Sequence, residues 1–260
     1  MDISSMSTKQ IKALLEQDVS DELLQALRGD ARKSVQSLYK AQQRMRQERE
    51  RVQKMYAYED EAAARGHVLT AGVDEAGRGP LAGPVIVAAV ILPRDCFIAK
   101  INDSKKLSAK TREQLYDIIM EKAVAVNCVA IDEKTIDRIN IYQASMNGMY
   151  EAIYGLSVQP QEVLIDAVPL QQLDIPSQSI VKGDAKSASI AAASIIAKVT
   201  RDRMMDEFDA KYPQYGFAKH KGYGTAEHLA ALRSYGPCPI HRRSFEPIKS
   251  MLEGHVHGEK

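Results

Sequence analysis

Residues 84–92 read P-V-I-V-A-A-V-I-L, apolar from end to end and rich in β-branched side chains. A continuous run of this kind is that of a buried strand, one whose two faces are both covered by other elements. Strand-like segments recur around it: H-V-L-T-A-G-V-D from His67, residues 124–131, E-V-L-I-D at 162–166 and residues 178–181. Helical patterns lie between and after them, at 108–123, 142–156, 187–210 and 225–234. Strands that come before and between helices specify a mixed α/β architecture. Ahead of them, residues 1 to about 65 contain no Pro and one Gly and read as helix. The expected division is a basic helical extension at 1–66, an α/β domain at 67–254 and a disordered tail at 255–260.

Composition narrows the class. Three Cys stand far apart without a C-x-x-C pair, which argues against a disulfide framework or a zinc ribbon. No apolar run approaches the roughly 18 residues of a membrane span, and the start M-D-I-S-S-M-S-T-K-Q lacks a signal-peptide core. The expectation is a cytoplasmic protein with no membrane role. Lys and Arg number 35 against 34 Asp and Glu, so net charge argues for no polyelectrolyte partner. The charges are nevertheless segregated. Residues 32–54 carry eight basic side chains against two acidic, 113–166 three against nine, and 211–249 seven against two. A basic face can track phosphates whatever the sum. The 32–54 segment is therefore either a solvent-facing arm or a surface that meets an anion.

The most informative stretch is A-G-V-D-E-A-G-R-G-P-L-A-G-P, which sets Asp74 and Glu75 at a strand end within a Gly-rich loop. It fails as a P-loop, because Arg78-Gly79 stands where Lys-Ser/Thr is required. It also fails as a dinucleotide fingerprint, because a strand-like run follows where a helix is needed. Two carboxylates would repel a phosphate unless a divalent cation lay between them. Two more acids fit that arrangement. Asp166 closes an apolar strand, where an unpaired carboxylate is costly to bury. Asp184 stands between Lys182 and Lys186 just before a helix, where capping is the other reading. Four acids at strand ends or a helix start suit Mg²⁺ or Mn²⁺, which prefer oxygen ligands. His220, His228 and His241 lack H-x-x-x-H spacing and lie in the basic region, which assigns them to the surface.

D-E-A-G-R-G-P, the N-D-S-K-K-L of 102–107, the V-K-G-D-A-K-S-A-S-I-A-A-A-S-I-I-A-K-V-T-R-D of 181–202 and the H-K-G-Y-G-T of 220–225 together resemble ribonuclease HII. The resemblance spans about residues 69–252. It implies a ribonuclease-H-like fold, a central mixed five-stranded sheet flanked by helices, here with the N-terminal helical extension. It implies four catalytic, metal-binding acids at Asp74, Glu75, Asp166 and Asp184, and ribonucleotide recognition by Gly77, Arg78 and Gly79. A substrate-contacting tyrosine falls at Tyr223. Where the family commonly has Gly after the third acid, this chain has Ala167, a departure that bears on the local loop geometry.

Phosphodiester hydrolysis needs an activated water and a neutralised leaving oxygen, and two divalent ions can supply both. In that scheme Asp74 bridges the ions, Glu75 and Asp166 complete one shell, and Asp184 holds the other ion. No protein nucleophile is required. Telling RNA from DNA at one nucleotide means reading a 2′-OH, which close-approaching glycines and the Tyr223 hydroxyl can do. Lys105, Lys106, Lys182 and Lys186 are candidate phosphate contacts. The expected function is a monomeric, Mn²⁺- or Mg²⁺-dependent endonuclease. Its substrates would be RNA–DNA hybrids and DNA duplexes containing ribonucleotides, cut to leave 3′-OH and 5′-phosphate ends. Two alternatives are a DNA nuclease or resolvase with the same acids, and a nucleic-acid-binding module without catalysis. The G-R-G element and Tyr223 count against the first, and the four acids against the second.

Overall fold

The computed structural model describes residues 2–17 and 19–256, so residues 257–260 of the expected tail lie outside the described residues. The chain divides into two compact units, Met1–Gln53 and Lys54–Lys260. The smaller unit contains α1 (Thr8–Gln17), α2 (Asp21–Gly29) and α3 (Lys33–Lys54). Ile11, Leu15, Leu23, Leu27 and Val35 form its own apolar core. Arg32, the first cation of the basic stretch, is used in folding. It pairs with Asp30 at 2.5 Å and donates to the carbonyls of Ile3 and Met6. Lys40, Arg44, Arg46 and Arg49 remain exposed on α3.

The helix α4 (Ala57–Ala64), read from the sequence with the extension, belongs to the larger unit. The reason is burial of Met55, Tyr56, Glu59 and Ala62. Five strands follow: β1 (Thr70–Ala76), β2 (Val85–Ile91), β3 (Ala125–Ile131), β4 (Glu162–Asp166) and β5 (Ser177–Ile180). They form one mixed sheet in the order β3-β2-β1-β4-β5, antiparallel from β1 to β3 and parallel from β1 through β4 to β5. Every residue of β2 is buried, as its unbroken apolar run requires.

The covering layers are α6 (Glu133–Tyr154) and α7 (Ala188–Lys211), with α5 (Ala109–Lys122) beside α7. Alternate residues of β1 point to opposite faces. Ala71 and Val73 meet the α6 residues Met149, Ala152 and Ile153 in the main core. Gly72 faces α7 instead, and a Cβ there would stand 2.0 Å from the Ser189 carbonyl carbon. Its missing side chain lets the helix lie directly on the strand. Asp74, two residues on, shares that face, and α7 supplies Ser194 to it about one turn further along. The sequence pattern finds only the second half of α6. Asn140 breaks it at φ 66°, and its Oδ1 accepts from the amides of Tyr142 and Gln143 to start the helix again. A second apolar cluster joins Leu81, Ala82 and Met205 to α8 (Phe217–His220), α9 (Ala226–Tyr235) and α10 (Ile248–Val256).

Candidate active site

Three of the four predicted acids converge. Asp74 near the end of β1, Asp166 at the end of β4 and Asp184 in the turn Gly183–Ala185 each offer a carboxylate oxygen, all within 4.8 Å of one another. Parallel pairing of β1 with β4 sets the first two side by side, with Val73 opposite Ile165. The third is tied to the second, because the Gly183 amide donates to Asp166 Oδ1 at 2.7 Å. Glu75 is not in that group. Arg78 holds its Oε1 at 3.4 Å, while its Oε2 is buried without a hydrogen-bond partner.

The acids are held under electrostatic stress. Burial, then repulsion from Glu75 and Asp166, raises Asp74 well above the usual carboxylate range. Burial also raises Glu75, and Arg78 partly offsets it. Asp184 is pushed up to about 6 by burial and then by Asp103 and Asp166. Buried, mutually repelling oxygens with one left unpaired suit a divalent cation. Asp103 is a residue that sequence reasoning passed over, although it lies inside the N-D-S-K-K-L motif. It caps the turn Ser104–Lys106 through the Lys105 amide and faces Asp184. Lys105 is exposed and its charge favours the ionised forms of Asp184 and Glu75. Lys106 lies 3.8 Å from Asp103, and Lys182 and Lys186 are exposed on either side of Asp184.

Ala167 adopts φ 58°, the left-handed conformation in which a Cβ is strained. The Val168 amide turns back to the Asp166 carbonyl at 2.7 Å across it. Replacing Ala167 by Gly is expected to stabilise the protein by about 1 kcal/mol, read as a shifted urea midpoint. An unchanged or lower midpoint would mean the turn is unstrained.

The Gly-rich loop and the tyrosine loop meet. Gly77 has φ 99°, and a Cβ at Gly79 would lie 3.7 Å from Tyr223 Cε1. The Leu81 amide donates to the Gly222 carbonyl at 2.8 Å, and Tyr223 is 45% exposed. Beneath them lie two fully buried arginines that sequence reasoning missed. Arg242 donates to the carbonyls of Gly77 at 2.6 Å, Arg78 at 2.9 Å and Gly83 at 2.9 Å. Arg201 donates to those of Pro84, Ala82 and Lys221 at 3.0, 3.0 and 2.9 Å. The only signal of Arg201 in the sequence was its place in the long 181–202 motif. His220, His228 and His241, expected at the surface, are buried in the same region and bond to one another or to backbone. Aromatic packing around Tyr215 and Phe217 encloses them.

Residues 71–248 match the family described as Ribonuclease HII, and residues 7–63 match the Ribonuclease HII N-terminal domain. The chain belongs to the ribonuclease HII family. A Ribonuclease HII of Bacillus licheniformis is 53% identical over 95% of this chain and 99% of its own. One of Enterococcus faecalis is 53% identical over 90% and 93%. The ribonuclease H2 structure from Pyrococcus horikoshii OT3 superposes with a TM-score of 0.62 at 27% identity, covering 72% of this chain and 99% of that one. Membership makes the chain an endonuclease, a hydrolase of ribonuclease H type that needs a divalent metal, and the fold is ribonuclease-H-like. Among the described residues, no helix is long and apolar enough to cross a membrane.

Metal dependence has a sign in pH. Acids whose folded pKa is raised hold protons more tightly in the folded state than in the unfolded one. Their contribution to stability is present below the ordinary carboxylate pKa of about 4 and is lost as pH rises through about 6, where Asp184 titrates. A divalent cation held by these acids would replace those protons. Its stabilisation of the folded chain is therefore expected to be larger at pH 8 than at pH 5, measured as the shift in Tm between EDTA and Mg²⁺. An equal shift at both values would contradict cation binding at this cluster.

Proposed function

We propose that this enzyme cuts the RNA strand of RNA–DNA hybrids and also single ribonucleotides embedded in duplex DNA, leaving 3′-OH and 5′-phosphate ends. Asp74, Asp166 and Asp184, with Glu75 beside them, would hold two divalent ions, Mn²⁺ or Mg²⁺, as catalytic groups. Such ions supply an activated water and charge neutralisation at the reacting phosphate. Glu75 has a free buried oxygen to add to the set, and Arg78 keeps its other oxygen in place. The substrate is gripped by Lys105, Lys106, Lys182 and Lys186, exposed around the acids. The enzyme works as a cytoplasmic monomer.

The observation that carries the reading is the juxtaposition of a three-aspartate cluster with a glycine loop that is hydrogen-bonded to the loop of an exposed tyrosine. Gly77, Arg78 and Gly79 offer backbone that can approach a sugar closely, and Tyr223 offers a ring face and a hydroxyl. Discrimination follows because a site built to bond a hydroxyl leaves its own groups unpaired when that hydroxyl is missing. Tyr223→Phe is expected to slow single-turnover cleavage at a lone ribonucleotide by about tenfold, and Tyr223→Ala by more. Both should affect a continuous hybrid less, because neighbouring 2′-OH groups compensate. Wild-type rates for both variants on the lone-ribonucleotide duplex would remove Tyr223 from the reader.

A further inference from the structure

Behind Tyr223 runs a chain of hydrogen bonds from Cys238 to the Tyr223 carbonyl. At one end the Cys238 amide donates to His241 Nδ1 at 2.9 Å. That nitrogen also lies 3.3 Å from the Cys238 carbonyl, and the closer amide makes it the acceptor and puts the His241 proton on Nε2. His241 Nε2 lies 3.0 Å from His228 Nε2, which must then be the acceptor. The His228 proton is left on Nδ1, which lies 2.9 Å from the Tyr223 carbonyl. A carbonyl can only accept, so the Tyr223 end requires this pair of tautomers, and the shorter contact at the Cys238 end agrees with it. Protonating either ring would set two donors face to face. His220 completes the arrangement: its Nδ1 accepts from the Gly222 amide at 3.2 Å and its Nε2 meets the Tyr215 carbonyl at 2.8 Å. It stacks on His228 with centroids 4.5 Å apart.

We propose that His241 and His228 are positioning residues for Tyr223, a neutral relay of defined tautomers that holds the tyrosine's peptide against the Gly77–Gly79 loop. The relay starts at the residue before Arg242, whose guanidinium holds the carbonyls of Gly77 and Arg78. His241 is also bridged to Ala82 within the Gly-rich loop's own return. One short segment, His241-Arg242, therefore anchors both halves of the ribose-reading surface, His241 through His228 and Arg242 directly. Burial is the main cause that keeps both histidines neutral; it lowers His228 and pushes His241 down to about 4. The inference rests on the reading of Tyr223 as a substrate contact.

The test is a double-mutant cycle on the full chain, using single-turnover cleavage of a duplex with one ribonucleotide. His228→Leu removes the donor to Tyr223, and is expected to slow the reaction about tenfold in the wild-type background but less than about twofold in Tyr223→Ala. His228→Asn, which keeps an amide nitrogen near the Nδ1 position, should stay within about threefold of wild type. The tautomers are read independently by ¹⁵N NMR of histidine-labelled wild-type protein, with the His228 proton expected on Nδ1 and the His241 proton on Nε2. An equal loss from His228→Leu in both backgrounds would make His228 merely structural and overturn the proposal. So would a wild-type rate for His228→Leu, or reversed tautomers. Should His228→Leu not fold, His228→Asn and the tautomers decide, and a loss beyond about tenfold for Asn overturns the relay. Wild-type cleavage by Tyr223→Ala would instead sink the reading of Tyr223 itself, and the relay with it. A slow Tyr223→Ala beside a fast His228→Leu sinks the relay alone.

Discussion

Asp74→Asn is expected to lower the single-turnover cleavage rate by on the order of 10³-fold or more, while raising the Tm of the metal-free protein. The two effects have one cause. Asp74 sits 6% exposed among Glu75 and Asp166, so its ionised form is disfavoured until a cation is present. The amide isostere keeps the Oδ1 that accepts from the Glu75 amide at 2.7 Å, so local geometry is retained. What is lost is the charge that would hold a cation and that repels its neighbours. Turnover near wild type, or a lower Tm in EDTA, would show that this carboxylate is not held for a cation.

Gly72→Ala is expected to be the most damaging single methyl group in the catalytic unit. Its Cβ would lie 2.0 Å from the Ser189 carbonyl carbon and 2.2 Å from the Ile190 nitrogen, both backbone atoms of α7. Neither can rotate away, so the helix must retreat from β1. A loss of about 3 kcal/mol or more is expected in urea unfolding of the larger unit. The same retreat would draw Ser194 from Asp74, so residual folded protein should also cut poorly. A loss below about 1 kcal/mol would mean that α7 does not rest on this strand as tightly as described.

Much of this organisation is legible in the residues. The unbroken 84–92 run specifies the buried strand, and the acids could be singled out because carboxylates ending apolar strands have little packing value. Grouping Asp74, Glu75, Asp166 and Asp184 around a cation rested on their places at strand ends and a helix start, and the resemblance implied the same four; the parallel pairing of β1 with β4 that brings Asp74 and Asp166 together is long-range information. The histidines were misplaced because a metal-ligand spacing was the pattern looked for, whereas their partners are nearby backbone groups of Tyr215, Gly222, Tyr223 and Cys238, and what buries them is the aromatic packing of Tyr215 and Phe217. Arg201 and Arg242 escaped because an arginine that bonds only carbonyls has no charged partner to reveal it. Glu59 is similar. Buried in α4, it accepts from Ser187 Oγ at 2.7 Å and the Ser189 amide at 2.9 Å, capping the helix that begins just after Asp184. Periodicity alone placed it in an arm.

The most direct measurement is cleavage of an end-labelled DNA duplex carrying one ribonucleotide, beside the same duplex without it, in Mg²⁺, in Mn²⁺ and in EDTA. The expected result is a single cut at the ribonucleotide with divalent cation, none in EDTA, and none on the all-DNA duplex. A cut that persists in EDTA would contradict the aspartate cluster as a cation site. Equal cutting of both duplexes, or an intact ribonucleotide duplex in every condition, would contradict the Gly77–Gly79 loop and Tyr223 as readers of a single ribose.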